Sequence, residues 1–238
     1  MIQYEALGGN SETTYLFEPG ARWQYGFSTD WIGRIIEKVS GQTLEQFFQH
    51  SVTGPLGMAD TSFSIPAMKF DRMSSRFARQ AEGSIREVPR KLPGPPKALS
   101  GGGGLYGTAP DFVRFMQMIL RKGDRLLKAP TIDLMSANQI GDLNAGKLKS
   151  VRPDVASDTD LHPGFNDKFG LGFLLNLVDV DGGRSAGSMA WAGIDNTYFW
   201  IDPRRELCAA IMMQFLPFCD QEAVGLLTDF ERAIYQNT

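Results

Sequence analysis

The serines, histidines, cysteines and tyrosines of this sequence are the side chains that could attack a carbonyl, hold a metal or move a proton, and their spacing sorts them. Gly183-Arg184-Ser185-Ala186-Gly187 has the Gly-x-Ser-x-Gly spacing that can lift a nucleophilic serine onto a sharp strand-to-helix turn. That chemistry needs a helix directly after the serine and a histidine later in the chain. Ser185 leads instead into strand-like sequence, and both histidines, His50 and His162, precede it. A hairpin turn is the better reading. Neither histidine has cysteines or carboxylates at ligand spacing, so no metal is assigned. Ser100-Gly101-Gly102-Gly103-Gly104 lacks the Gly-Lys-Ser/Thr ending of a phosphate loop and is read as a flexible, close-packing loop, with no cofactor. Cys208 and Cys219 lie in or beside an apolar stretch and are expected to pack as small hydrophobes rather than to bridge, which favours a reducing, cytoplasmic compartment.

The elements that must position any site follow from periodicity and punctuation. Thr29 to Ser40 sets Ile32, Ile35, Ile36 and Val39 at helical spacing and stops at Gly41. Thr43 with Gln46 forms a capping box for a second helix carrying Leu44, Phe47 and Phe48, and Gly54-Pro55 turns the chain. From Ser64 to Gly104, proline, glycine and charge predict a long surface excursion. Thr108 caps a helix running to Arg121, with Pro110 in its first turn, and a shorter helix is expected over 130–138. Phe169 to Val178 and Asn196 to Ile201 read as strands, and Asp220 caps a last helix presenting Val224, Leu227, Phe230 and Ile234. Leu207 to Met213 is apolar without alternation, as expected of a central strand covered on both faces. Such a strand needs two hydrogen-bonding neighbours, and the sequence offers one, which predicts that part of the sheet is missing.

With 42% hydrophobic and 21% charged residues over 238 positions, the chain can bury a core as one domain, a mainly helical lobe over 1–165 and a sheet with a C-terminal helix over 166–238. The net charge of -3, with signs interspersed, gives no basic footprint for nucleic acid. No apolar run is long enough to span a membrane, and the first residues lack the order of a signal peptide.

Four segments, in order, carry a resemblance to serine hydrolases of the class C β-lactamase and family VIII carboxylesterase type. Trp23-Gln24-Tyr25-Gly26-Phe27-Ser28-Thr29-Asp30 with the following Ile32 to Gly41 resembles the motif in which a tyrosine opens a helix. Gly54 to Phe63 is similar to the family's Pro-Leu-Gly-Met segment, and Ser100 to Leu105 with Thr108-Ala109 to its glycine-rich entry to a helix. Trp191-Ala192-Gly193 lies where the family has Lys-Thr-Gly, His-Thr-Gly or Trp-Gly-Gly, and Phe199 to Pro203 follows as in the esterase branch. The resemblance implies a β-lactamase/DD-peptidase-like α/β (α+β) fold, a helical lobe plus an antiparallel sheet flanked by a C-terminal helix. It also implies hydrolysis of a small-molecule ester or amide through an acyl-serine.

By the same resemblance Tyr25 is the catalytic base, a role that requires nearby cations because a free tyrosine hydroxyl has a pKa of about 10. Trp191 lines the pocket or packs as core; with Ala192 and Gly193 it leads to Ile194, whose backbone N–H is the implied oxyanion donor. Two departures stand out. Phe27 replaces the polar residue that follows the tyrosine by two positions, which favours an esterase-like site over a β-lactam-binding one. No serine has lysine three residues later, so the family's Ser-x-x-Lys nucleophile is not in this sequence. The chain is therefore read as incomplete at its N-terminus and inactive alone, with self-association or a complementing N-terminal segment expected. The rival readings are an inactive binding or partner module of the same fold and an acyltransferase of the same family.

Overall fold

A computed structural model describes residues 17–91, 94, 96 and 98–237. The caps fall where local chemistry demands them. Helix α1, Ser28–Ser40, ends at Gly41 in the left-handed conformation (φ 70°), its N–H donating to the Glu37 carbonyl. Helix α2, Leu44–Phe48, is opened by the reciprocal bonds of the capping box: Gln46 N to Thr43 Oγ1 at 3.2 Å and Thr43 N to Gln46 Oε1 at 2.9 Å.

The excursion is more ordered than its prolines and glycines suggest. It contains a 3₁₀ turn, Ala67–Arg72, and a hairpin of β1, Arg76–Arg79, with β2, Ile85–Val88. Helix α3, Ala109–Leu120, starts at Thr108, whose hydroxyl accepts from Asp111 N at 3.4 Å, with proline in the first turn. Helix α4, Ala129–Met135, is shorter than expected. Two residue-pair strands follow, β3, Lys147–Leu148, and β4, Thr159–Asp160.

The main sheet is antiparallel throughout and runs in the order β5 (Lys168–Phe169), β6 (Leu174–Leu175), β7 (Met189–Gly193), β8 (Thr197–Asp202) and β9 (Leu207–Met212). The stretch from Phe169 to Val178 is thus not one strand. A Cβ on Gly170 would sit 2.1 Å from the Met135 carbonyl, and Gly172 has φ 92°, so the chain turns at these glycines and splits the strand in two. β10, Phe215–Leu216, leaves the main sheet and pairs in parallel with β1. Helix α5, Gln221–Gln236, is capped by Asp220, which accepts from Glu222 and Ala223 N. Arg79 grips the same carboxylate at 2.6 and 2.9 Å and holds it below the usual carboxylate range.

Two cores line the sheet. On one face Met116, Met118 and Ile119 of α3 pack with Phe173, Leu175, Met189 and Ile201. On the other, Ala190, Trp200 and Ala209 meet Leu227, Phe230, Ile234 and Tyr235 of α5. β9 alternates between them: Cys208 and Ala210 face α3, Leu207 and Ala209 face α5, which accounts for its unbroken apolar run. Its one neighbour among the described residues is the one that the sequence offers. β9 ends the sheet, paired with β8 alone among the described residues. Coverage of both faces writes the apolar run, and it says nothing of the edges. A second apolar surface is also uncovered, since Trp31, Ile32, Ile35 and Val39 of α1 are 44%, 53%, 58% and 82% exposed.

Candidate active site

Tyr25 stands in the irregular segment just before α1, and the glycine-rich loop packs closely against the start of that helix. Gly101 packs so closely on α1 that a Cβ would lie 2.0 Å from the Thr29 carbonyl oxygen and 3.0 Å from Gly33 N. A Cβ on Gly102 would come within 2.9 Å of the Asp30 carboxylate. Asp30 itself is buried and accepts from the Ser100 hydroxyl. Here the absence of side chains allows backbone to meet backbone, so the loop buttresses the helix.

Just before α1 the chain presents Tyr25 to the Trp191-Ala192-Gly193 segment of β7. The Tyr25 ring lies 5.0 Å, centroid to centroid, from Trp191 on β7. Trp191 also meets Phe169 of β5 edge-on at 5.2 Å and Trp23 at 6.3 Å, and Trp23 reaches Phe169 at 5.2 Å. Four aromatic rings from the pre-helix segment and two strands therefore form one cluster, with Tyr25 40% exposed at its rim. Such contacts favour offset and edge-on geometry and fix ring orientation as well as burying area.

Trp191 and Ala192 are paired across the ladder with Phe199 and Tyr198, and Gly193 with Thr197. A Cβ on Gly193 would collide with Thr197 Oγ1 at 2.4 Å, so glycine lets the strand end approach its partner. Ile194 follows in the turn, 49% exposed, and its backbone N–H donates to no acceptor among the described residues. The structure thus brings Tyr25 and Trp191 together, with Ala192, Gly193 and Ile194 continuing the same strand end. Trp23 and Phe169 escaped the sequence reading as wall residues. The signal for Trp23 was its position two residues from Tyr25, within the same motif segment.

Ser185 is buried in the connection between β6 and β7, its N–H bonded to Asp202 Oδ2 at 2.8 Å. The next element after it is strand β7 rather than a helix, in keeping with a turn. His162 Nδ1 lies 3.0 Å from Asp167 Oδ1, where burial pushes the Asp167 carboxyl up against the opposing pull of the histidine. No group of three or more potential metal ligands occurs among the described residues. Cys208 and Cys219 are free, and burial raises both thiols. No helix among the described residues is long and apolar enough to cross a membrane.

Helical lobe, antiparallel sheet and the packing of Tyr25 on β7 match the β-lactamase/DD-peptidase-like fold. A family model described as Beta-lactamase matches residues 11–227, and the chain belongs to that family. Monacolin J acid methylbutanoyltransferase of Aspergillus terreus is 29% identical over 229 residues, which cover 92% of this chain and 55% of that protein. Lovastatin esterase of Penicillium rubens is 29% identical over 235 residues, covering 92% of this chain and 57% of its own length. Among solved structures, unliganded simvastatin synthase from Aspergillus terreus, in its selenomethionyl form, superposes with a TM-score of 0.81 at 26% identity, over 99% of this chain and 61% of that one. The chain spans little more than half the length of the curated relatives it matches.

Proposed function

We propose that this chain supplies the Tyr25 and Trp191-to-Ile194 side of an acyl-transfer site that moves an acyl group to a small-molecule alcohol through an acyl-serine. The observation that carries it is the packing of Tyr25 on Trp191 at the exposed rim of the aromatic cluster. That hydrolysis was the first expectation reflects the shared chemistry, since water and alcohol are alternative acceptors of one acyl-enzyme. Similarity to a methylbutanoyltransferase as well as an esterase favours the alcohol.

In this reading the nucleophile comes from a Ser-x-x-Lys segment, since no serine of the chain has that partner. The serine oxygen attacks the donor carbonyl while Tyr25 takes its proton, and the Ile194 N–H stabilises the oxyanion. Collapse expels the donor's leaving group, which takes the proton from Tyr25. The acceptor alcohol then attacks the acyl-serine, Tyr25 again taking a proton and returning it to the serine. The uncovered face of α1 and the free edge of β9 are where such a segment would pack, because together they expose apolar side chains and unpaired backbone.

The test joins or co-expresses the chain with a Ser-x-x-Lys segment from a relative and supplies a p-nitrophenyl ester with an alcohol acceptor. At saturating alcohol most of the acyl group is expected in the new ester. Free acid as the sole product would return the site to hydrolysis. An authentic reading frame with no such segment, and no turnover on complementation, would favour an inactive binding module.

A further inference from the structure

We propose that Asn196 is a positioning residue for the strand end that carries Ile194, and that it acts by tying this turn to the small second sheet. The three-residue turn Ile194-Asp195-Asn196 joins β7 to β8, and its conformation is fixed from outside the main sheet. Asn196 is fully buried with φ 55°, a left-handed backbone that asparagine tolerates better than most residues. Its amide nitrogen donates to the carbonyls of Phe215 at 2.9 Å and Pro217 at 2.8 Å. Its amide oxygen accepts from the Tyr198 hydroxyl at 2.7 Å and from Cys219 N at 2.9 Å.

All four bonds reach β8 or the segment around β10, and only an amide can donate twice and accept twice in that place. Asp195 adds a second tie, its carboxylate taking Arg76 Nε of β1 at 2.6 Å and its carbonyl taking Phe215 N at 3.2 Å. Between these anchors Ile194 is left half-exposed with an uncommitted N–H, held still by neighbours rather than by a bond of its own. A donor fixed in advance is what oxyanion stabilisation requires. The chemical part of this inference rests on the acyl-transfer reading; the geometric part does not.

Two variants test it. Asn196→Gly keeps the left-handed backbone and deletes all four bonds, whereas Asn196→Asp keeps the two accepted bonds and loses the two donated ones. In the chain alone, the backbone order parameter of Ile194 is expected to fall from about 0.85 to below about 0.6 in Asn196→Gly, with β8 amides unchanged. In the chain joined to a Ser-x-x-Lys segment, kcat is expected to drop on the order of 10²-fold with KM nearly constant, the loss of one oxyanion donor. Asn196→Asp should lie between parent and Asn196→Gly in both measurements, and it serves if the glycine variant does not fold. Unchanged order at Ile194 in a folded variant overturns the inference, as does a disordered Ile194 with parental kcat. A parent assembly without acyl transfer sinks the acyl-transfer reading instead, and the relaxation data still decide whether Asn196 holds the turn.

Discussion

Tyr25→Phe, made in the chain joined to a Ser-x-x-Lys segment, is expected to lower kcat by about 10²- to 10⁴-fold, the usual contribution of a positioned proton-transfer group. The substitution is clean because phenylalanine retains the ring that packs on Trp191 at 5.0 Å. The Tyr25 hydroxyl makes no hydrogen bond to any described residue, and the side chain is 40% exposed, so its removal leaves no buried group unsatisfied. Melting temperature and KM should therefore stay close to the parent while kcat falls, the signature of an interaction made only in the transition state. Near-parental kcat would remove Tyr25 from the mechanism. Loss of folding would assign it to structure instead.

Gly101→Ala should strongly destabilise the chain, because the new Cβ would sit 2.0 Å from the Thr29 carbonyl oxygen and 3.0 Å from Gly33 N. Both obstacles are backbone atoms of α1 and cannot turn aside as a side chain would. Either the loop lifts away or the helix start moves. Overpacking of this kind costs about 1–3 kcal/mol, and each kcal/mol lowers the melting temperature of a chain this size by roughly 2–4 °C. Because α1 begins just after Tyr25, the tyrosine should be displaced as well, so acyl transfer should fall with stability. Gly103→Ala is the internal control, since a Cβ there meets nothing within 4 Å and should change stability by less than about 0.5 kcal/mol. Equal melting temperatures for the two variants would show that the loop does not buttress the helix.

The parts of the fold legible in the sequence were those fixed by local chemistry. Thr43 with Gln46, Thr108, Asp220 and Gly41 each satisfy backbone groups within a few residues, so their signals are self-contained. The parts that were not legible depend on partners far along the chain. β1 is four residues in a proline-rich excursion, and its second neighbour, β10, lies more than a hundred residues later. The second neighbour that the apolar run of β9 calls for is likewise beyond local reading: face coverage marks β9 residue by residue, while edge pairing is a property of other strands.

The site divides likewise. In the proposed site, Tyr25 and the Trp191 to Ile194 strand end are named from motif order, and the structure brings the rings of Tyr25 and Trp191 together. Phe169 required knowing that β5 lies two strands from β7, and Asn196 required knowing that the β7 to β8 turn reaches the segment after β9. A buried polar residue in an αL turn is visible only once its four partners are assembled around it.

The most direct test of the proposed division of labour is to treat the purified chain with a fluorophosphonate, which phosphonylates activated serines, and to follow it by intact mass and peptide mapping. The chain alone should take up no label, and the chain joined to a Ser-x-x-Lys segment should take up one equivalent on that segment's serine. A stoichiometric adduct on the chain alone, mapped to Ser185 and lost in Ser185→Ala, would place the nucleophile within these 238 residues and contradict the account.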